Sequence, residues 1–319
     1  MAEGKTVRGR FAPSPSGRMH LGNLCCALLA WLSVRSQGGE MLLRIEDLDP
    51  DRCKRVYAEQ LMDDLQWLGL NWDEGPGKDC WHGPFIQDDR REIYEEVLTQ
   101  LKNRGLIYPC FCTRAQLHTA SAPHAGDGVF RYAGTCRDLT KDEIEAKKLF
   151  RSPALRFHAP GSTVEFTDLF LGPQHFDVQN MFGDFLVRRS DGIHAYQLAV
   201  SIDDAMMGIT EVIRGSDLLT STGCQIQLLR ELGAEPPQYG HIPLLVNPEG
   251  RRLSKRERDL DIGVLRKRFT PEQLCGRLAH LLGMLSNPEP LTAQEMISLY
   301  ETADLSRPTI TVPDTFARI

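Results

Sequence analysis

The sequence predicts an α/β fold built on a parallel, helix-covered sheet, and three features carry that prediction. A strand from Thr6 to Ala12 is broken by Pro13, Pro15 and Gly17 and gives way to a helix. Strand and helix patterns then alternate as far as Gly105. With 319 residues, 35.9 kDa and 41% hydrophobic residues, the chain can bury a large core and still carry a smaller insertion.

The first helix is marked by Leu21, Leu24, Cys25, Leu28, Leu29 and Leu32, which recur at one-face helical spacing until Gly38-Gly39. His20 and Gly22 therefore fall at a helix N-terminus. That end carries unpaired N–H groups and a partial positive charge, so it suits a polyphosphate, and Gly22 admits a flat base or ribose close to the backbone. Met41 to Ile45 reads as the second strand, with Glu46-Asp-Leu-Asp49 at its carboxyl end, where open α/β sheets bind ligands. An acidic residue there can accept from a substrate ammonium group; alternatively, Asp47 or Asp49 caps a helix. Tyr57, Leu61, Leu65 and Leu68 mark one helix, and Ile93, Tyr94, Val97, Leu98 and Leu101 mark another that ends at Gly105.

The alternation stops at Cys110-Phe-Cys112, which is followed after nineteen residues by Tyr132-Ala-Gly-Thr-Cys136. Three thiols supply most of a tetrahedral zinc site, which needs a fourth ligand. Tyr132 is an unusual ligand, whereas His118 and His124 are conventional ones; buried, incidental cysteines are the alternative. Nine cysteines without a secretion signal point to reduced thiols rather than a disulfide framework. Further on, Thr140 to Glu143 has the form of a capping box. Leu155 and Phe157, then Val164 and Phe166, alternate as strands across Pro160-Gly161. Phe185 to Arg188 and Tyr196 to Val200 flank Ser190-Asp-Gly192 as a hairpin. Val212-Ile-Arg214 ends at Gly215-Ser-Asp217, where Ser216 or Asp217 can cap a helix running to about Leu232. Ile242 to Val246 is a last strand before Leu253-Ser-Lys255. Helices are expected from Thr270-Pro271 and near Glu295 to Tyr300, ahead of a Pro-rich tail.

The net charge of -6 opposes non-specific attraction to nucleic acid, so RNA contact must use local patches. Gly250 to Arg268 is such a patch, with eight basic residues against three acidic ones, a net +5. Met1 to Arg10 holds no apolar segment, and the longest apolar run, Leu24 to Leu32, is too short to span a bilayer. A cytoplasmic protein without a membrane partner is expected, and a monomer.

Met19-His-Leu-Gly22 resembles the HIGH signature of class I aminoacyl-tRNA synthetases, and Arg10-Phe-Ala-Pro-Ser-Pro-Ser-Gly17 resembles that of the glutamyl and glutaminyl branch. Arg252-Leu-Ser-Lys-Arg256 is similar to the second signature, KMSKS. Arg44-Ile-Glu-Asp47, Ala195-Tyr196, Asp203-Asp204, Met207-Gly-Ile-Thr210 and Val212-Ile-Arg-Gly-Ser-Asp217 are also similar to the glutamyl branch, in the expected order. The resemblance implies a Rossmann-like class I aminoacyl-tRNA synthetase catalytic domain with an inserted zinc-binding, acceptor-end subdomain and a short C-terminal helical piece. The expected divisions are 1–105 and 186–263 for the two halves of the catalytic domain, 106–185 for the insertion and 264–319 for the C-terminal piece.

The same resemblance implies a site. His20 and Lys255 are the expected catalytic donors around the phosphates of ATP, with Pro13, Gly22 and Asn23 also at the nucleotide. Glutamate is expected at Arg10, Ser14, Glu46, Tyr196 and Arg214, the guanidinium groups meeting its carboxylates and Glu46 its ammonium. Mg2+ is expected with the nucleotide and not in a protein cage. Shortened relatives of this branch, the glutamyl-queuosine tRNA(Asp) synthetases, use a C-x-C followed by Y-x-x-x-C, which implies one structural zinc held by Cys110, Cys112, Tyr132 and Cys136. With only a short stretch after Gly263, an anticodon-binding domain is not expected here, as in those relatives. The implied activity is ATP-dependent formation of glutamyl-adenylate without RNA, then transfer of glutamate to queuosine at the wobble position of tRNA(Asp). Alternatives are a compact or truncated glutamyl-tRNA synthetase charging tRNA(Glu), a non-catalytic RNA-binding paralogue, and a HIGH-bearing nucleotidyltransferase acting on a small molecule.

Overall fold

A computed structural model describes residues 6–78, 80–113, 115–116, 131–158, 161, 163–253 and 260–317. In chain order it begins with β1 (Arg8–Phe11), α1 (Leu21–Ser36), β2 (Glu40–Leu43), α2 (Arg55–Trp67) and α3 (Arg91–Asn103). A middle segment follows with β3 (Ile107–Cys110), α4 (Lys141–Lys148), β4 (Ala154–Phe157), β5 (Thr163–Asp168), β6 (Gly172–Asp177), α5 (Val178–Met181) and β7 (Phe185–Arg188). Then come α6 (Tyr196–Met206), β8 (Glu211–Gly215), α7 (Leu219–Glu231), β9 (Gln238–Ile242) and β10 (Leu244–Val246). The last elements are α8 (Ile262–Arg268), α9 (Pro271–Leu281), α10 (Ala293–Met296) and β11 (Thr309–Thr311).

The central sheet has four parallel strands in the order β2-β1-β8-β9. Successive side chains leave opposite faces, so Met41, Leu43, Ile213 and Ile242 join one apolar core, while Leu42, Val212 and Tyr239 join another. Helix α1 packs on the first face and is buried almost all round, beyond the one-face stripe expected from its leucines. Its close approach needs Gly9, since a Cβ there would lie 2.2 Å from Val34 Cγ2. The middle segment builds a separate antiparallel sheet, β3-β4-β7, and the β5-β6 hairpin. β10 and β11 form a parallel pair, so part of the tail expected to be irregular is a strand.

Two other expectations are corrected. Tyr196 to Val200 is not the second arm of a hairpin but the start of α6. Its aromatic and β-branched residues suggest a strand, yet Leu198, Ala199, Ile202 and Asp203 are buried together at helical spacing. Ser216 and Asp217 do not cap α7, whose first residues carry no side-chain cap. Asp217 pairs instead with Arg252 at 2.7 Å.

Helix α6 fastens the sheet to the elements beside it through two buried carboxylates. Asp203 accepts from Arg90 Nε at 2.7 Å, from Gln87 Nε2 at 2.8 Å and from the Tyr94 hydroxyl at 2.9 Å. Removing that acceptor would leave a buried guanidinium unpaired. Asp203→Ala should therefore lower the unfolding free energy by ~3–5 kcal/mol in denaturant titration, far more than a surface carboxylate substitution such as Asp142→Ala.

Candidate active site

A cavity of about 520 Å³ opens at the carboxyl ends of β1, β8 and β9, over the N-terminus of α1. Strand order reverses between β1 and β8, which is where open α/β sheets bind their ligands. Arg10, Pro13, Ser14, His20, Gly22, Asn23, Glu46, Tyr196 and Arg214, all singled out in the sequence, line this one space. The loop after β1 lies along the loop after β2, with Glu46 N–H donating to the Pro13 carbonyl at 3.0 Å and Lys54 N–H to that of Pro15 at 3.0 Å.

His20 is the N-cap of α1, and its role there fixes its tautomer. Nδ1 accepts from Gly22 N–H at 3.0 Å, while Asn23 Oδ1 accepts from His20 N–H at 3.4 Å. With Nδ1 an acceptor, the ring proton of neutral His20 sits on Nε2, so the imidazole is a donor on its other side. A Cβ on Gly22 would lie 2.9 Å from His20 Cε1, which gives that glycine a packing reason besides the one inferred from sequence. The two readings of His20, cap and ligand donor, are thus compatible.

Lys255 falls within 254–259, outside the described residues, but both flanks of that segment are anchored at the cavity. Leu253 lines it and donates to the Leu245 carbonyl at 2.9 Å. Asp261 bridges to His20, and Ile262 N–H donates to the Met19 carbonyl at 3.0 Å. The basic stretch around it is partly neutralised: Arg266 pairs with Asp63 and, at 2.6 Å, with Asp64, while Arg252 pairs with Asp217. Those arginines serve internal contacts, so the net +5 read from sequence overstates the charge open to RNA.

Two arginines face the cavity under different conditions. Arg10 Nε donates to Asp204 Oδ1 at 3.3 Å, and Asp204 also meets Arg44 Nη1 at 2.8 Å. Arg44, buried completely, reaches Glu46 Oε1 through Nη2 at 3.1 Å. Burial raises the Glu46 carboxyl above its ordinary range despite Arg44 and Arg10, whereas those arginines hold Asp204 below its own despite burial. Arg214 is also buried, but its partners are neutral: His241 Nε2 at 3.1 Å, Gln225 Oε1 at 2.7 Å and Thr222 Oγ1 at 2.6 Å. Among the described residues no carboxylate lies within ion-pair distance of it. A buried cation facing a cavity without its own anion suits an anionic ligand.

Arg44, Asp204, Gln225 and His241 support these side chains and were given no role from sequence. A signal existed: charged residues inside otherwise apolar stretches, as at Leu42-Leu-Arg-Ile45 and Ser201-Ile-Asp-Asp204. Asp47, read as a helix cap or a ligand, accepts from Asp88 N–H at 2.9 Å at the 3-10 turn preceding α3.

At the end of β3 the sulfur atoms of Cys110, Cys112 and Cys136 all lie within 4.8 Å of one another, and this cluster could hold a metal ion. Cys112 and Cys136 Sγ are 3.6 Å apart, close to the ~3.8 Å edge of a tetrahedron with 2.3 Å metal–sulfur bonds. The Tyr132 hydroxyl stands 3.5 Å from Cys110 Sγ and 3.8 Å from Cys112 Sγ, and accepts from Cys136 N–H at 2.9 Å. Burial would raise the Cys110 thiol, but hydrogen bonds from Tyr132 and Arg156 outweigh it and the net shift is downward. His118 and His124 lie outside the described residues.

A parallel sheet with a ligand cavity at its switch point, over a histidine-capped helix, defines a nucleotide-binding α/β catalytic domain. The family model described as "tRNA synthetases class I (E and Q), catalytic domain" matches residues 6–312, and the chain belongs to that family. It is 48% identical over 310 residues to the Glutamyl-Q tRNA(Asp) synthetase of Symbiobacterium thermophilum, covering 96% of this chain and 95% of that one. The protein of the same name from Nitratidesulfovibrio vulgaris is 48% identical over 319 residues, 98% of each chain. Glutamate--tRNA ligase 2 of Alkalilimnicola ehrlichii is 45% identical over 279 residues, but only 58% of its length is covered. Among solved structures, a glutamate tRNA ligase from Elizabethkingia meningosepticum in complex with its amino acid superposes with a TM-score of 0.82 at 28% identity, over 98% of this chain and 68% of that one.

The cap geometry generates a prediction. His20→Ala should lower stability by ~0.5–2 kcal/mol in thermal or chemical unfolding, whereas His20→Asn, which keeps a capping acceptor, should lie within about 0.5 kcal/mol of the parent. Equal losses for the two would mean that the cap contributes nothing.

Proposed function

We propose that the protein activates glutamate with ATP, without RNA, and transfers the glutamyl group to queuosine at the wobble position of tRNA(Asp). The observation that carries this reading is the buried Arg214, without a carboxylate partner among the described residues, in a cavity that also holds the N-terminus of α1. A substrate carboxylate supplies the missing anion. Arg10 and Arg214 receive the substrate's carboxylates, Glu46 its ammonium, and Ser14 and Tyr196 add neutral hydrogen bonds. Pro13, Gly22 and Asn23 flank the nucleotide.

In the activation step a glutamate carboxylate oxygen forms a bond to the α-phosphorus of ATP, and the bond to pyrophosphate breaks. Negative charge builds on the phosphate oxygens. His20 Nε2–H and the Lys255 ammonium are the donors assigned to that charge. Mg2+ is assigned to the nucleotide. We assign zinc to Cys110, Cys112 and Cys136 with Tyr132 in fourth place, where it would fix the junction of β3 with the following loop. The choice of queuosine-bearing tRNA(Asp) over tRNA(Glu) is supported by the names of the two relatives that this chain covers almost end to end, against the partial coverage of the glutamate--tRNA ligase.

Two outcomes are expected. Labelled glutamate should pass to tRNA(Asp) purified with queuosine and not to the same tRNA without it; charging of tRNA(Glu) at its terminal ribose would replace this reading with that of a compact glutamyl-tRNA synthetase. Metal analysis should find about one zinc per chain, reduced in Cys110→Ser and Cys136→Ser with loss of stability. Tyr132→Phe should weaken retention against a chelator; unchanged retention there, with loss in His118→Ala, would move the fourth ligand to that histidine.

A further inference from the structure

Arg214 is aimed by a buried chain of groups that starts outside the central sheet. Asp168 closes β5 in the hairpin of the middle segment, and Leu169 N–H donates to the Tyr239 carbonyl at 2.8 Å, bringing that hairpin against β9. Asp168 Oδ1 is saturated by three backbone N–H groups, from Phe170 at 3.0 Å, Leu171 at 3.1 Å and His241 at 3.1 Å. Its Oδ2 faces His241 Nδ1 at 2.5 Å. On the far side of the same ring, Nε2 meets Arg214 Nε–H at 3.1 Å and Thr222 Oγ1 at 3.1 Å.

These contacts admit one protonation state. An arginine Nε only donates, so His241 Nε2 must accept; an ionised carboxylate only accepts, so Nδ1 must donate. His241 is therefore neutral with its proton on Nδ1. A second proton would put a donor against a donor, 3.1 Å from a guanidinium. Around the ring stand Asp168 from β5, Arg214 from β8, Thr222 from α7 and Tyr239 from β9, with Arg10 of β1 further off. Burial, then Arg214 and Arg10, lower the imidazole's affinity for a second proton, and Asp168 only partly opposes them. The neutral ring is the state that the surroundings favour.

We propose that Asp168 and His241 are positioning residues for Arg214: the carboxylate fixes the imidazole tautomer, and the imidazole holds the guanidinium facing the cavity for a substrate carboxylate. The second clause rests on the glutamate pocket proposed above; the first does not. The hairpin that carries Asp168 thereby sets substrate selection in the sheet.

Asp168→Asn tests this directly. The amide oxygen stays on the three backbone N–H groups, so the amide nitrogen turns to His241 Nδ1, which must then accept. The ring proton moves to Nε2 and confronts Arg214, as a wrong tautomer does in a catalytic triad whose aspartate becomes asparagine. Ring-nitrogen NMR of the full chain, assigned by the resonances lost in His241→Asn, should report protonated Nδ1 in the parent and protonated Nε2 in Asp168→Asn. In ATP–pyrophosphate exchange the glutamate KM should rise ~10- to 100-fold, the scale of one charge-assisted hydrogen bond, with the ATP KM within about twofold. His241→Asn keeps a donor to Asp168 but leaves Arg214 Nε without an acceptor. It should show the same KM split, and it carries the test if Asp168→Asn does not fold.

An unchanged tautomer in folded Asp168→Asn overturns the proposal. So does an unchanged glutamate KM in either folded variant while Arg214→Gln raises it. If Arg214→Gln itself leaves the glutamate KM unchanged, the glutamate pocket is overturned and the ring-nitrogen signature alone decides whether Asp168 sets the tautomer.

Discussion

Asp204 accepts from Arg44 at 2.8 Å and from Arg10 at 3.3 Å, and these contacts join α6 to β2 and β1 across nearly two hundred residues of sequence. Counting Arg90, Glu46 and Asp203, three guanidinium groups and three carboxylates are buried together, and their formal charges cancel. Desolvating six charges is costly, and hydrogen bonds between them offset that cost only in a narrow geometry. The cavity wall is consequently specified by electrostatics more than by packing. Burial raises the proton affinity of Glu46 although Arg44 and Arg10 oppose that shift.

Arg214 solves the same problem differently. Its acceptors His241, Gln225 and Thr222 take up part of its N–H groups without neutralising its charge. The pair formed by Asp168 and His241 supplies an acceptor while keeping the balancing carboxylate on the far side of the ring. A carboxylate placed directly on Arg214 would compete with the substrate carboxylate proposed there; an imidazole between them would not.

The sheet and α1 were legible from local signals: apolar periodicity, breakers and a histidine at a helix start. That Arg10, Ser14, Glu46, Tyr196 and Arg214 belong together was implied only by the family resemblance, since no local window contains them. The thiol cluster was legible from spacing. Other features were not. The strand reading of Tyr196 to Val200 failed because β-branched and aromatic residues suit strands until tertiary burial selects the helix around Asp203. Asp217 is a competent cap by residue type, but it faces Arg252 instead, and that contact spans 35 residues of sequence. The buried supporting charges and the β10-β11 pair likewise depend on partners that no local window contains. That Arg266 in the basic run meets Asp63 and Asp64 of α2 was hidden for the same reason.

The strand order also constrains how the chain comes into being. β1 lies between β2 and β8, so one edge of it meets a partner thirty residues on and the other waits for Glu211. At translation rates of ~5–20 residues per second, that interval is on the order of 10–40 s. During it, the β1-α1-β2 unit presents an unpaired strand edge and α1, a helix apolar on nearly every side, lacks much of its cover. Arg8 already has Glu40 and Glu74 by then, but Arg10 on that open strand is a charge still without Asp204, a device of the kind that discourages edge-to-edge pairing between nascent chains. An arginine that later lines the cavity thus also guards its unfinished sheet.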